Sequence, residues 1–387
     1  MQPDLLWRGA RLLCWLLDRP VKLAQRAFQD APLPLAAERL GKIVVQFPNW
    51  LGDAVMSLAL LHHLRVVCPA ASIAVVSRPG WADLWQGLPH VDKVIRFDRF
   101  DEQLTLADIR QFIAALREFA ADAAFILPGG IEFALFYAWA GVRVRIGYSF
   151  DHRHLLLTHP LRVPPQFRRR HLSESYLDLG RVLGPAAAGR PQLGMPRANG
   201  RSGGAMSAPF PQSAGFLRVL LHPWSTYGPA KRWPATRFAE LGTRIAERYR
   251  AEIVLVGTAE ARTVAMEINR LMNHRARDLT GRTSIVELCQ LIRESALVIS
   301  NDSGPAHLAD ALGVPLVVLF GSSSPVWTAP RGERSEVVYR SLKCSPCFKR
   351  QCPFGTSACF EAITTDEVFA RVERLLAGGD FSQRVLA

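Results

Sequence analysis

Long apolar runs are missing from this 387-residue chain. No stretch approaches the roughly twenty residues a membrane-spanning helix needs, and no secretory signal is recognisable. Both absences lead to the expectation of a cytoplasmic protein. Cysteine is sparse: seven residues, an odd number, which argues against the disulfide framework of a small secreted domain. Acid is also in short supply. Asp and Glu total 34 against 47 Lys and Arg, leaving a net charge of +13, which asks for an anionic partner. Basic residues interleaved with aromatics in a nucleic-acid module are lacking, so no nucleic acid is expected. An anionic membrane face or an acidic substrate remains.

What is present is apolar material, 49% of the residues, enough at this length for two cores. It comes in short runs that alternate with helical periodicity. Strands are expected at Lys42–Phe47, Ser72–Val76, Val94–Phe97 and Ala123–Leu127, with helices at 54–65, 104–118, 131–140 and 172–183. Periodicity vanishes in the Gly-, Ser- and Pro-rich stretch 198–214, which reads as a linker. It then restarts with strands at Leu217–Leu221 and Ile253–Val256 and helices at 235–248, 259–272 and 284–294. Alternation of this kind gives an α/β fold of doubly wound parallel sheets. The expected organisation is an extension at 1–40, a first Rossmann-like domain at 41–197, the linker, and a second Rossmann-like domain at 215–387. Within the extension, 7–28 mixes Trp7 and Trp15 with Arg8, Arg19, Lys22 and Arg26 around an apolar run. It suits an amphipathic helix on an anionic membrane, or equally one packed on the protein itself.

The densest punctuation lies at 297–321, LVISNDSGPAHLADALGVPLVVLFG. An apolar run to Ser300 is followed by Asn301, Asp302, Ser303, Gly304 and Pro305, then a helix to Leu312 closed by Gly313, then the run Val314–Phe320. Strand, turn, helix and strand make one βαβ unit, whose helix starts at the carboxyl end of the first strand. Ligands bind there in open α/β sheets, and a helix start favours phosphate. Gly304 allows close approach of the backbone, and Ser303 and His307 add side-chain donors. Taken singly, Asp302 or Ser303 also fits a plain helix cap.

Two further segments carry chemistry. In FPNWLGDAVMS, residues 47–57, Asp53 stands at a helix start, where its carboxylate could take a proton from an attacking hydroxyl, or simply cap. In HPWSTYGPAKRWPATRF, residues 222–238, Ser225, Thr226 and Lys231 could stabilise the charge that develops on a leaving diphosphate. Four cysteines gather at Cys344, Cys347, Cys352 and Cys359. The first pair has zinc-knuckle spacing and the later intervals do not, so a reduced, packed cluster and a structural metal both stay open.

The run N-D-S-G-P-x-H-x-A-x-A-L-G at 301–313 closely resembles the donor-site motif of the bacterial lipopolysaccharide heptosyltransferases, glycosyltransferase family nine. N-W-x-G-D-x-V-M-S at 49–57 resembles the same family's catalytic-base motif, and G-P-A-K-R-W-P at 228–234 its second heptosyltransferase type. The resemblance covers most of 42–375 and includes HLSESYL at 171–177 and LFGSSSP at 319–325. It implies a GT-B fold, two Rossmann-like domains facing a cleft, and inverting transfer from an ADP-sugar donor, ADP-heptose, to an anionic glycolipid acceptor at the cytoplasmic face of the inner membrane. By that resemblance Asp53 is the catalytic base, and Lys231 with Ser225 and Thr226 acts on the diphosphate. Asp302, Ser303, Gly304 and His307 form the donor site, Glu260 takes the ribose hydroxyls, and Asp278–Gly281 lies near the adenine. No cofactor and no catalytic metal are expected. The chain departs from the family at Leu127–Ala134, where relatives show L-P-N-S and a basic residue and this chain has Gly129, Gly130 and Glu132. That leaves the acceptor open. Another sugar nucleotide on a different surface glycan, or a non-catalytic binding protein, remains an alternative.

Overall fold

The computed structural model describes residues 35–98, 104–127, 130–185 and 216–377. The amphipathic stretch 7–28, the linker 198–214 and Gly129 lie outside the described residues. The chain divides into two compact units, Met1–Ala198 and Asn199–Ala387.

The first unit is a six-stranded sheet in the order β3-β2-β1-β4-β5-β6. Its strands are β1 Lys42–Gln46, β2 Ser72–Ser77, β3 Lys93–Arg96, β4 Ala123–Ile126, β5 Val144–Tyr148 and β6 His159–Leu161. Every pairing is parallel, with Val44 opposite Ala74 on one side and Ala124 on the other. Central strands read as unbroken apolar runs because both faces are covered by helices. The helices are α1 Leu51–Met56, α2 Leu58–Val67, α3 Ala82–Trp85, α4 Leu106–Phe119, α5 Ile131–Trp139 and α6 Leu172–Gly180. Thr105 and Asp108 form a capping box that starts α4. The predicted helix 54–65 is broken at Ser57, whose Oγ donates to the Ala54 carbonyl at 2.7 Å.

The second unit repeats the layout, in the order β12-β11-β10-β7-β8-β9. Its strands are β7 Leu217–His222, β8 Ala251–Leu255, β9 Arg277–Asp278, β10 Leu297–Asn301, β11 Leu316–Phe320 and β12 Ser335–Tyr339. The helices are α7 Ala235–Tyr249, α8 Arg262–Leu271, α9 Ile285–Arg293, α10 Gly304–Ala311, α11 Pro325–Thr328, α12 Ala358–Glu361 and α13 Thr365–Ala377. Counting strands within each unit, both sheets run 3-2-1-4-5-6, the doubly wound order of dinucleotide-binding folds. The direction in which strands are added across the sheet reverses between β1 and β4 in the first unit and between β7 and β10 in the second. Each such switch point leaves a crevice at the carboxyl ends of its strands.

Four strands escape the periodicity reading: β5, β6, β9 and β12. In β5, Gly147 sits so close to β4 that a Cβ would stand 2.8 Å from the Ile126 carbonyl oxygen, and Arg145 turns onto the carbonyls of Val142 and Leu156. β6 carries Pro160, which only an edge strand tolerates.

Candidate functional site

The switch-point crevice of the second unit is lined by the loops after β7, β10 and β11. Asp302 follows β10, and its N–H donates to the Leu319 carbonyl at 3.0 Å, which fixes the turn against β11. The carboxylate is 3% exposed as a residue and well partnered. Lys231 Nζ donates to Oδ2 at 2.5 Å, Ser323 Oγ donates to the same oxygen at 2.5 Å, and Thr328 Oγ1 reaches Oδ1 at 3.4 Å. His307 Nε2 lies 3.7 Å from Oδ1. Burial alone would push the Asp302 carboxyl up; Lys231 and His307 outweigh it and hold the group well below the usual carboxylate range. The sequence had placed Lys231, Asp302 and His307 in one site, and the structure brings all three together. It adds Ser323 and Thr328. Ser323 lies in the family-like segment LFGSSSP at 319–325, and Thr328 carries no signal in the chain.

Ser303 is the N-cap residue of α10, yet its side chain makes no cap. Its Oγ instead meets His222 Nδ1 at 3.0 Å and Ser300 Oγ at 3.2 Å, and His222 Nδ1 also meets Ser300 Oγ at 3.2 Å. His222, at the end of β7, is buried, and burial pulls its imidazole down to about 4, so it is neutral at physiological pH. Gly304 opens α10 and Pro305 takes its second position, one residue later than the sequence pattern placed it.

The loop from β7 to α7 is stiff. Lys231 lies 5.0 Å from the Tyr227 ring centre, and Arg232 stacks 3.2 Å from that of Trp224 while donating to the Ser225 carbonyl. Trp233 anchors the loop's far end: its N–H donates to Asn301 Oδ1 at 3.1 Å and its indole N–H to the Ile363 carbonyl at 3.1 Å. Ser225 is buried and Thr226 exposed. Glu260 stands after β8, exposed, where a hydrogen bond from Thr258 lowers its pKa. It is not part of the Lys231–Asp302 group. Thr280 follows β9, 1% exposed, and among the described residues its hydroxyl lacks a partner.

In the first unit, Asp53 lies in the first turn of α1, directly after β1, and is partly exposed. The N-cap position belongs to Trp50, and Asp53 is the acidic residue of the turn that follows. Behind it, α6 packs on α1 and α2. Tyr176 on α6 is fully buried, its hydroxyl lacks a partner among the described residues, and burial followed by the charge of Asp53 pushes its phenol well up. At the end of β4, Arg153 is buried and donates to the carbonyls of Leu127 at 3.2 Å and Tyr148 at 2.7 Å; burial brings its guanidinium down to about 10. Glu132, in the first turn of α5, is 7% exposed. Its carboxylate occupies the space of the missing Gly130 side chain, where a Cβ would stand 1.9 Å from Oε2.

Among the described residues no three His, Cys, Asp or Glu side chains are placed to hold an ion. Cys344, Cys347, Cys352 and Cys359 are all free thiols. Among the described residues, no helix is long and apolar enough to cross a membrane. The basic run Arg168–Arg170 is not wholly available to a surface, because Arg170 turns onto Asp178 at 2.5 Å and Glu174 at 3.6 Å.

Comparison with known proteins converges on one family. Residues 109–358 match the model of glycosyltransferase family 9 (heptosyltransferase). The chain is 32% identical to lipopolysaccharide heptosyltransferase 2 of Salmonella typhimurium over 308 residues, 77% of this chain and 87% of that protein. In structure it resembles E. coli ADP-heptose LPS heptosyltransferase II, with a TM-score of 0.73 and 28% identity over 87% of this chain and 98% of that one. E. coli heptosyltransferase WaaC, solved with ADP-2-deoxy-2-fluoro heptose, shares the fold with a TM-score of 0.65 at 18% identity, over 86% of this chain and 99% of that one.

Proposed function

The chain belongs to glycosyltransferase family 9, and from that premise we propose that it transfers heptose from ADP-heptose to the inner core of a lipopolysaccharide precursor, with inversion at the sugar carbon. The observation that carries this reading is the Lys231–Asp302–Ser323 group at the start of α10, in the switch-point crevice of the second unit. It fixes the Lys231 ammonium beside a helix N-terminus, a setting suited to a diphosphate. Lys231 acts on the leaving ADP, Ser225, Thr226, Ser303, Gly304 and His307 serve the donor, and Glu260 serves the ribose. Asp53 is the base that takes the acceptor's proton. The bond that breaks joins the anomeric carbon to the diphosphate oxygen, and the acceptor oxygen replaces it on the opposite face. Turnover of ADP-heptose with a core-truncated glycolipid tests the assignment; release of ADP without a glycosylated product, or no turnover at all, overturns it.

A second reading of the acceptor is favoured by Glu132. It is a buried carboxylate in the segment that departs from the family's motif, which favours a different acceptor glycan as the alternative. We also place the enzyme in the cytoplasm, peripheral to the inner membrane, on the strength of the +13 balance and the basic stretch 7–28. Each basic side chain near an anionic surface contributes about 1 kcal/mol. Deleting residues 1–30 is expected to lower sedimentation with anionic vesicles, steeply salt-dependent in the full chain. Equal sedimentation of both forms would end the membrane role.

A further inference from the structure

The charge at the donor site does not balance. The pyrophosphate of a nucleotide sugar carries a negative charge on each phosphate and gains more as it leaves. Lys231 is the cation the site offers, yet its charge is already matched by Asp302 at 2.5 Å, with both groups largely out of water. The start of α10 contributes only about half a charge. Arg232 is committed, stacked on Trp224 with its donors on the Ser225 carbonyl. A further cation is needed, and one is held against the same loop by residues far along the chain.

That cation is Arg350. Its guanidinium lies 5.5 Å from the centre of the Tyr227 ring, the ring that also carries the Lys231 ammonium at 5.0 Å. One aromatic ring is thus shared by two cations, which brings Arg350 to the loop that carries Lys231. The backbone beneath Arg350 is tied down on several sides. Its carbonyl accepts the Ala230 N–H at 3.1 Å and presses on Gly228, where a Cβ would stand 2.3 Å from that oxygen. Gly228 has a φ of 151°, so glycine is required there for both backbone shape and space. Two residues earlier, the Phe348 N–H donates to the Ser322 carbonyl at 2.7 Å and the Phe348 carbonyl accepts the Tyr227 hydroxyl at 2.6 Å. The segment 348–350 thus bridges the loop that carries Lys231 and the one that carries Ser323. Arg350 itself is exposed. Its base is fixed and its side chain is exposed at the loop that carries Lys231.

We propose that Arg350 is a second diphosphate-binding cation of the donor site, recognising the pyrophosphate alongside Lys231. The proposal rests on reading that site as one for a nucleoside diphosphate sugar, and the test separates the two. ADP and adenosine are titrated calorimetrically into the full-length protein and into Arg350→Ala and Arg350→Lys, with thermal melting of each. Loss of a charge-assisted hydrogen bond to phosphate is expected to weaken ADP binding of Arg350→Ala roughly ten- to a hundredfold, with adenosine affinity and melting unchanged. Arg350→Lys is expected to recover part of the loss, because a point charge replaces a planar fork. If Arg350→Ala binds ADP as wild type does, or loses ADP and adenosine equally, Arg350 is only a structural tie. A wild type that prefers ADP to adenosine no more than the variant does overturns the diphosphate role. A wild type with no preference at all overturns the reading of the site as well.

Discussion

The two units share one strand order and use it differently. In the second, the switch-point crevice is filled before any ligand arrives: Asp302 is satisfied by Lys231 and Ser323, and buried His222 and Ser300 form a polar triad with the partly exposed Ser303 beside it. In the first, the corresponding crevice presents a partly exposed Asp53, with buried Tyr176 behind it and buried Glu132 and Arg153 on the segments that follow β4 and β5. The difference follows from the chemistry each could perform. Stabilising a leaving diphosphate rewards donors fixed in advance, since they cost no reorganisation when charge develops. Taking a proton from an incoming hydroxyl needs a carboxylate the acceptor can reach.

The contrast can be broken most severely at Asp53. Asp53→Asn keeps the shape and removes the basicity, so turnover is expected to fall roughly a hundred- to ten-thousandfold while ADP affinity stays. Near-normal turnover of the purified variant would remove Asp53 from the mechanism. Lys231→Ala strikes the other side. It leaves the Asp302 carboxylate buried without its main partner, and breaking a buried pair costs about 3–5 kcal/mol. Both stability and ADP affinity are expected to drop, and Asp302→Asn added to Lys231→Ala should restore stability without restoring ADP binding. Denaturant melts with ADP titrations decide this, and a fully stable Lys231→Ala would contradict the paired state.

A smaller effect sharpens the comparison through pH. His222 in the fold refuses a proton until about pH 4, whereas an unfolded histidine takes one near 6.5. Its folded value is the lower, so its contribution is complete above 6.5 and is lost as pH falls from 6.5 towards 4, by up to about 3 kcal/mol. Asp302 has its folded value depressed below the ordinary 3.8, so its own contribution is lost only at more acid pH. Melting between pH 6.5 and 4.5 is expected to flatten in His222→Asn relative to wild type. Parallel slopes would mean that His222 is not held neutral.

How much of this was legible in the chain depends on where each signal sat. Unbroken apolar strands such as β10 and β11, followed by turn residues, were readable because burial on both faces leaves no other pattern. Lys231 and Asp302 could be singled out because each stands in a short polar run at a strand end. Their direct pairing could not, since 71 residues separate them and only the sheet order makes their strands neighbours. β5 and β6 hid because Arg145, Gly147 and Pro160 are tolerated through a carbonyl network, a close strand approach and an edge position. Arg350 hid for another reason: it lies in a segment without periodicity, and it reaches Tyr227 only through backbone ties at Ala230 and Ser322.

The triad at the end of β7 also decides the direction of a proton. Ser300 Oγ donates to the Asn301 carbonyl at 2.7 Å, so the Ser300 hydrogen is committed and its oxygen can only accept. If His222 carries its hydrogen on Nε2, Nδ1 must be served by the Ser303 hydroxyl, and Ser303 has nothing left to give. If the hydrogen is on Nδ1, it points at the two serine oxygens, and the Ser303 hydroxyl can turn to Ser300 Oγ or to whatever lies at the start of α10. One imidazole tautomer therefore lets Ser303 donate to a ligand and the other withdraws it, with no atom heavier than hydrogen having to move. Nitrogen-15 shifts of His222 report which tautomer is present, and a change on adding ADP would show this hydrogen being redirected.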